Sequence, residues 1–180
     1  MNLNSIILSV PYYNQLANLD NPFGTCNVTS IAMALSFLKI PQRTTGRYPD
    51  ELQDYMEAKG RDRHSPVDLA DTAADYGAVC HFTTKTTIEE VKAWLSTGNP
   101  CVVHGYFTDS GHIIALTGFD EYGFYVHDPY GEWSSDGYDR NDEKNFTKGK
   151  LLHYSYEMMR ETSITDEEFW VHFLRKPVNP

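Results

Sequence analysis

Three residues have the chemical types and the setting of a nucleophile, a base and the group that orients the base. Cys26 follows Gly24-Thr25 and opens the run Cys26 to Leu38, in which Ile31, Leu35 and Leu38 fall at i, i+4 and i+7. That spacing predicts a helix with Cys26 in its first turn. A thiolate there meets unpaired N–H groups and the positive end of the macrodipole, so its pKa falls and it becomes a nucleophile. The competing reading is a small buried hydrophobe. Cys80 and Cys101 sit inside apolar strand patterns, Ala78-Val79-Cys80 and Pro100-Cys101-Val102-Val103, and read as packing residues.

A nucleophilic thiol needs a base within hydrogen-bond reach and a partner that holds the base. Among the seven histidines, His112 opens the apolar strand Ile113-Ile114-Ala115-Leu116, which places it at a sheet rim. Asp128 ends the segment Tyr125-Val126-His127-Asp128, and Asp120-Glu121-Tyr122-Gly123 between the two is a hairpin signal. Folding the hairpin about residues 121–122 puts His112 opposite a residue near 130, with Asp128 as a diagonal neighbour. Asp128 then holds the imidazole tautomer, and His112 takes the thiol proton and returns it to a leaving amine. Gln15 lies in Pro11-Tyr12-Tyr13-Asn14-Gln15, on a loop able to fold back toward Cys26. Its amide is of the type that donates to a tetrahedral oxyanion, beside the Cys26 backbone N–H.

The elements that must position these groups follow from periodicity and punctuation. Residues 5–13 read as a strand, with Ile6, Leu8 and Val10 alternating. Helices are predicted over Cys26–Leu38, over 50–59, from a Ser65-Pro66-Val67-Asp68 start to Gly77, and from a Thr87-Ile88-Glu89-Glu90 capping box to Gly98. Strands are predicted over 79–83, 100–107, 112–119 and 123–128. Residues 129–150 are polar and loop-like. Ser155 is a possible cap for a short helix near 155–161, and 169–175 fits a closing strand or the end of a helix begun at Asp166. Helices first and an antiparallel sheet after them make an α+β layout.

The chain has 180 residues, a length that suits one domain over 1–180. Fifteen basic against 25 acidic residues give a formal charge of −10, which disfavours nucleic acid and anionic surfaces as partners. No apolar run approaches the ~18 residues of a membrane span. Twelve tyrosines suggest many rings at the surface. Three cysteines cannot all pair, so reduced thiols are the simpler reading. Met1 to Leu8 lacks a basic n-region, which predicts a cytoplasmic protein or one released without a signal peptide. Asp136, Asp139, Asn141, Asp142 and Glu143 form an acidic loop without EF-hand spacing, read as solvated. His104, His112 and His127 show no zinc-protease motif, and no phosphate-binding glycine loop is present, so no cofactor is expected.

The blocks Val10-Pro11-Tyr12-Tyr13-Asn14-Gln15, Thr25-Cys26-Asn27-Val28-Thr29-Ser30, Gly111-His112-Ile113-Ile114-Ala115-Leu116 and Val126-His127-Asp128-Pro129-Tyr130-Gly131 occur in the order Gln, Cys, His, Asp. In this the chain resembles the papain-like cysteine peptidases related to the bacteriocin-processing, double-glycine-cleaving peptidases, in their stand-alone branch. The resemblance spans residues 10–131. It implies a papain-like fold, Cys26 as nucleophile, His112 as base, Asp128 as orienter and Gln15 as oxyanion donor. Asn27 stands where the family commonly has Gly or Ala, and the stretch from Ala17 to Asn21 lengthens the Gln-to-Cys spacing. The implied substrate is a peptide amide, with a peptidoglycan cross-link as the main variant. Transfer of the acyl group to an amine and a non-catalytic binding module are the competing classes.

Overall fold

The computed structural model describes residues 4–141 and 143–178. Asp142 of the acidic loop and the first three residues lie outside them. In chain order the elements are β1 (Ile6–Ile7), a 3-10 turn (Gln15–Ala17), α1 (Cys26–Phe37), α2 (Tyr48–Ala58), α3 (Pro66–Asp75), β2 (Val79–Thr83) and α4 (Ile88–Ser96). There follow β3 (Cys101–Gly105), β4 (His112–Phe119), β5 (Gly123–His127), β6 (Trp133–Ser134), β7 (Gly137–Tyr138) and β8 (Leu152–Ser155). The chain closes with α5 (Tyr156–Ser163), β9 (Ile164–Thr165), β10 (Glu168–Phe169) and β11 (Val171–Arg175).

Local chemistry accounts for the helix starts. Ser65 accepts from Asp68 N at α3, Thr87 and Glu90 complete a capping box at α4, and Ser155 accepts from Met158 N at α5. These satisfy N–H groups that have no partner within the helix. The first strand is shorter than its alternation predicts. Only Ile6 and Ile7 pair, with Phe119 and Gly118 of β4. Beyond Leu8 the chain leaves the ladder, and the Val10 carbonyl accepts instead from His127 Nε2 at 2.8 Å. Gly118 permits the approach of β1, since a Cβ there would overlap the Ile6 carbonyl oxygen.

The main sheet has seven strands and is antiparallel throughout, in the order β2-β11-β3-β4-β5-β8, with β1 added to β4. On one face α1, α2 and α3 pack around Ile31, Leu35, Leu52 and Leu69. On the other, α4 and α5 bring Val91, Leu95 and Met159 against Ile114, Leu116, Phe124 and Val171. Helices on both faces explain why all eight residues of β4 are buried. They also explain why α1 is buried from Asn27 to Leu35 with little amphipathic contrast. The C-terminal segment is a strand, and it enters the sheet between β2 and β3 rather than closing an edge.

Tyr106 and Tyr122 are exposed, as composition suggested, but three tyrosines depart from a surface role. Tyr48, Tyr76 and Tyr154 are buried. The hydroxyls of Tyr76 and Tyr154 find partners there, Glu51 at 2.8 Å and Asp128 at 3.0 Å, so a large ring enters the core with its polar end satisfied.

Candidate active site

Cys26 is the first residue of α1, and its pocket is built by the loop before it. Thr25 makes no side-chain cap to the helix. Its hydroxyl accepts instead from Asn18 Nδ2 at 2.9 Å, and the same amide group donates to Thr29 Oγ1 at 2.9 Å. Arg47 donates from Nη2 to Asn18 Oδ1 at 3.1 Å and to the Asn14 carbonyl at 3.0 Å. The extra length between Gln15 and Cys26 is thus tied down by Asn18 onto the first turn of α1.

The hairpin β4–β5 brings His112 and Asp128 together. Ala115 pairs with His127 and Leu116 with Val126, so the same register extended toward the open end sets His112 opposite Tyr130. A bulge between Leu116 and Gly118 makes up the one-residue difference from the Phe119–Phe124 end. His112 Nε2 and Asp128 Oδ1 are 2.8 Å apart, with both side chains buried. The other ring nitrogen is left free, and His112 and Cys26 line the same cleft and act on each other's ionisation.

The electrostatics of the pair oppose burial. Burial alone raises the Cys26 thiol, but the His112 charge, the hydrogen bond from His112 and the Ile113 backbone N–H together bring it below its ordinary value. Burial also disfavours imidazolium at His112, and the Asp128 and Cys26 charges and hydrogen bonds overcome it, lifting His112 above the usual histidine range. Thiolate and imidazolium therefore stabilise each other. Cys80 differs: burial, with a small contribution from Asp71, pushes its thiol up to about 12. Burial raises Cys101 as well.

Asp128 is completely buried and fully hydrogen-bonded. Oδ1 accepts from His112 and from the Tyr130 backbone N–H at 2.9 Å. Oδ2 accepts from Tyr138 Oη at 2.7 Å and Tyr154 Oη at 3.0 Å. The Asp128 carbonyl accepts from Tyr12 Oη at 2.9 Å. Gly149 passes so near that carbonyl that a Cβ could not fit. Tyr138 and Tyr154 come from the segment after residue 131, outside the span of the resemblance, and the Tyr138 hydroxyl has no sequence signal until β7 folds over the site.

Gln15 is buried beside Cys26. Its backbone N–H donates to the Pro129 carbonyl at 2.9 Å, which joins the Gln loop to the residue after Asp128. Nε2 donates one hydrogen to the Pro22 carbonyl at 2.9 Å and carries a second, while Oε1 has no partner. Asn27 is buried too. Its Nδ2 donates to the Arg63 carbonyl at 2.8 Å, and Arg63 Nε donates to the Gly24 carbonyl at 3.1 Å. The residue that replaces the family's small one fastens the 61–65 loop to the base of the site.

All four residues thus lie in one region, and Gln15, Cys26 and His112 open on a cleft of about 580 Å³. Phe23 and Tyr130, 6.5 Å apart edge to face, wall one part of it. His104 and Trp170 line another. Among the described residues no group of three or more His, Cys, Asp or Glu side chains is arranged to hold a metal, and no helix is long and apolar enough to cross a membrane.

A cysteine-bearing helix packed on an antiparallel sheet with histidine and aspartate at its rim defines a papain-like α+β fold. The chain belongs to the Peptidase_C39 like family, whose model matches residues 7–164. Among solved structures it is similar to a double glycine motif protease from an AMS/PCAT transporter in complex with the leader peptide, at 18% identity and a TM-score of 0.58, over 94% of each chain. It is also similar to a putative C39-like peptidase from Bacillus anthracis, at 17% identity and a TM-score of 0.53, over 97% of this chain and 99% of that one. UfSP from C. elegans aligns with 100% of this chain and 36% of its own, at 15% identity and a TM-score of 0.63. No curated protein is significantly similar in sequence.

Proposed function

We propose that this protein is a cysteine hydrolase that cleaves a peptide amide bond through an acyl-thioester on Cys26. The observation that carries the reading is the buried 2.8 Å hydrogen bond between His112 and Asp128 in the cleft that Cys26 lines, where the His112 charge draws the Cys26 thiol below its ordinary pKa. The thiolate attacks the scissile carbonyl. The resulting oxyanion accepts from the Cys26 backbone N–H and the second Gln15 Nε2 hydrogen. His112, as imidazolium, protonates the leaving amine; it then takes a proton from water, which attacks the thioester and releases the acid. Asp128 keeps Nε2 hydrogen-bonded and the ring in plane, and the three other donors on its carboxylate hold it still. Residues 1–180 act as one catalytic domain, since strands from both ends of the chain build the sheet that carries His112. A peptide substrate is supported by family membership and by the leader peptide bound to the similar protease.

Mass spectrometry of products from a peptide library and from purified muropeptides tests the reading. Cleaved peptides that vanish with Cys26→Ala support it. Cleavage confined to muropeptides assigns the activity to cell-wall cross-links. Aminated products in place of acids mark a transferase, and no product from either source removes the hydrolase reading.

A further inference from the structure

A second series of polar side chains, centred on the buried His172, ends in the same cleft and takes no part in the chemistry above. Cys80 Sγ on β2 lies 3.7 Å from His172 Nδ1 on β11, and His172 Nε2 lies 2.9 Å from His104 Nε2 on β3. His104 is the register partner of Ile113, which follows His112 in β4 and lines the cleft with Cys26. By strand alternation His104 shares a sheet face with Val102 and Leu174, the face on which α1 packs. His104 Nδ1 meets no partner among the described residues and is not sealed from solvent, so it opens on the cleft.

The series fixes which nitrogens carry protons. One proton lies between the two Nε2 atoms, because two would repel and none would leave both lone pairs opposed. The Cys80 thiol keeps its proton and is a weak S–H donor, a better donor to an imidazole lone pair than its sulfur is an acceptor. Cys80 S–H therefore donates to His172 Nδ1, His172 Nε2–H donates to His104 Nε2, and His104 carries its proton on Nδ1. We infer that His104 presents this Nδ1–H to the cleft as a donor for a backbone carbonyl of a polypeptide substrate, with its tautomer set by His172 and Cys80. The inference rests on the peptide-hydrolase reading and adds a substrate-binding residue to it. His104 stays neutral because burial pushes its pKa down to about 4, so it offers the cleft an N–H donor without a charge.

Nitrogen-15 imidazole correlation spectra of the full-length protein report the tautomers without any substrate. The expected result is Nδ1–H for His104 and Nε2–H for His172; Nε2–H on His104 overturns the relay. For binding, the probes are iodoacetamide and the library peptide that the wild type cleaves fastest. His104→Phe keeps the tilted ring contacts with Phe82 and Trp170 but deletes the donor. It should raise KM by about three- to tenfold, the effect of one neutral hydrogen bond, with an unchanged rate of Cys26 alkylation. His104→Asn, whose amide hydrogen replaces Nδ1–H, should recover most of the loss. A KM within about twofold of wild type in His104→Phe, with alkylation intact, refutes the contact. If the wild type cleaves no peptide, the hydrolase reading and the contact fall together, while the spectra still decide the relay.

Discussion

The Tyr138 hydroxyl stands 2.7 Å from Asp128 Oδ2, and the Tyr154 hydroxyl 3.0 Å from the same oxygen. With the Tyr130 N–H on Oδ1, they leave His112 a carboxylate oxygen that does not turn. Burial and the nearby Asp128 charge raise both hydroxyls above the ordinary tyrosine range, so they remain donors at any working pH. Replacing Tyr138 by Phe removes one charge-assisted donor while Tyr154 remains. A loss of about tenfold in kcat is expected, consistent with roughly 1.5 kcal/mol for a hydrogen bond to a charged group. The double variant with Tyr154→Phe should lose more and lower the upper limb of the pH–rate profile. Unchanged profiles in both would show that the tyrosines only pack.

Cys26 should be the thiol that iodoacetamide finds first. Its pKa lies below the ordinary thiol value, whereas those of Cys80 and Cys101 lie above it. At about pH 6, Cys26 should alkylate at least tenfold faster than the other two, and peptide mapping by mass spectrometry reads this directly. His112→Ala should abolish the advantage, because it removes the charge and hydrogen bond that offset burial.

Gln15→Ala should lower kcat by about 10²- to 10³-fold with little change in KM, the behaviour of an oxyanion donor that acts only in the transition state. The alkylation rate of Cys26 should not change, since that reaction forms no oxyanion. A rise in KM at constant kcat would instead assign Gln15 to ground-state binding.

His104 and His172 make stability depend on pH. Burial holds their pKa values down to about 4 and about 3, the second also lowered by the first. The unfolded chain takes up protons near 6.5, so it binds more of them than the folded chain at mildly acidic pH. The stabilisation is complete above about pH 6.5 and is lost progressively as pH falls toward 4. Urea midpoints at about pH 7.5 and pH 5 should show the loss, and His104→Phe should flatten the dependence.

Asn27→Ala should loosen the 61–65 loop by releasing the Arg63 carbonyl. Faster amide exchange at residues 62–64, with α1 still protected, is the expected outcome; unchanged exchange would mean that the Arg63–Gly24 bond alone holds the loop.

Much of this arrangement is legible in the chain because it depends on local periodicity. The capped starts at Ser65, Thr87 and Ser155, the helix opened by Cys26 and the hairpin carrying His112 and Asp128 each rest on residues a few positions apart. The strand over 5–13 misleads, since alternation of Ile6, Leu8 and Val10 records which side faces the core and not whether a ladder partner exists. Tyr138, Tyr154 and Asn27 carry no local signal, because a tyrosine that binds a carboxylate and one that packs look alike until the carboxylate is brought to it.

The sequence by itself determined the α+β class, the order of the four site residues and the division of the cysteines into one exposed to helix-dipole and histidine fields and two set in strands. Side-chain periodicity and turn chemistry act over a few residues and leave a direct trace in the letters. Only the tertiary structure decided that the C-terminal strand lies inside the sheet, that two tyrosines from beyond the hairpin hold Asp128, and that Cys80, His172 and His104 form a series ending in the cleft that Cys26 lines. Those relationships join residues 10 to 92 positions apart through sheet order and loop closure, which many sequences satisfy and no short pattern records.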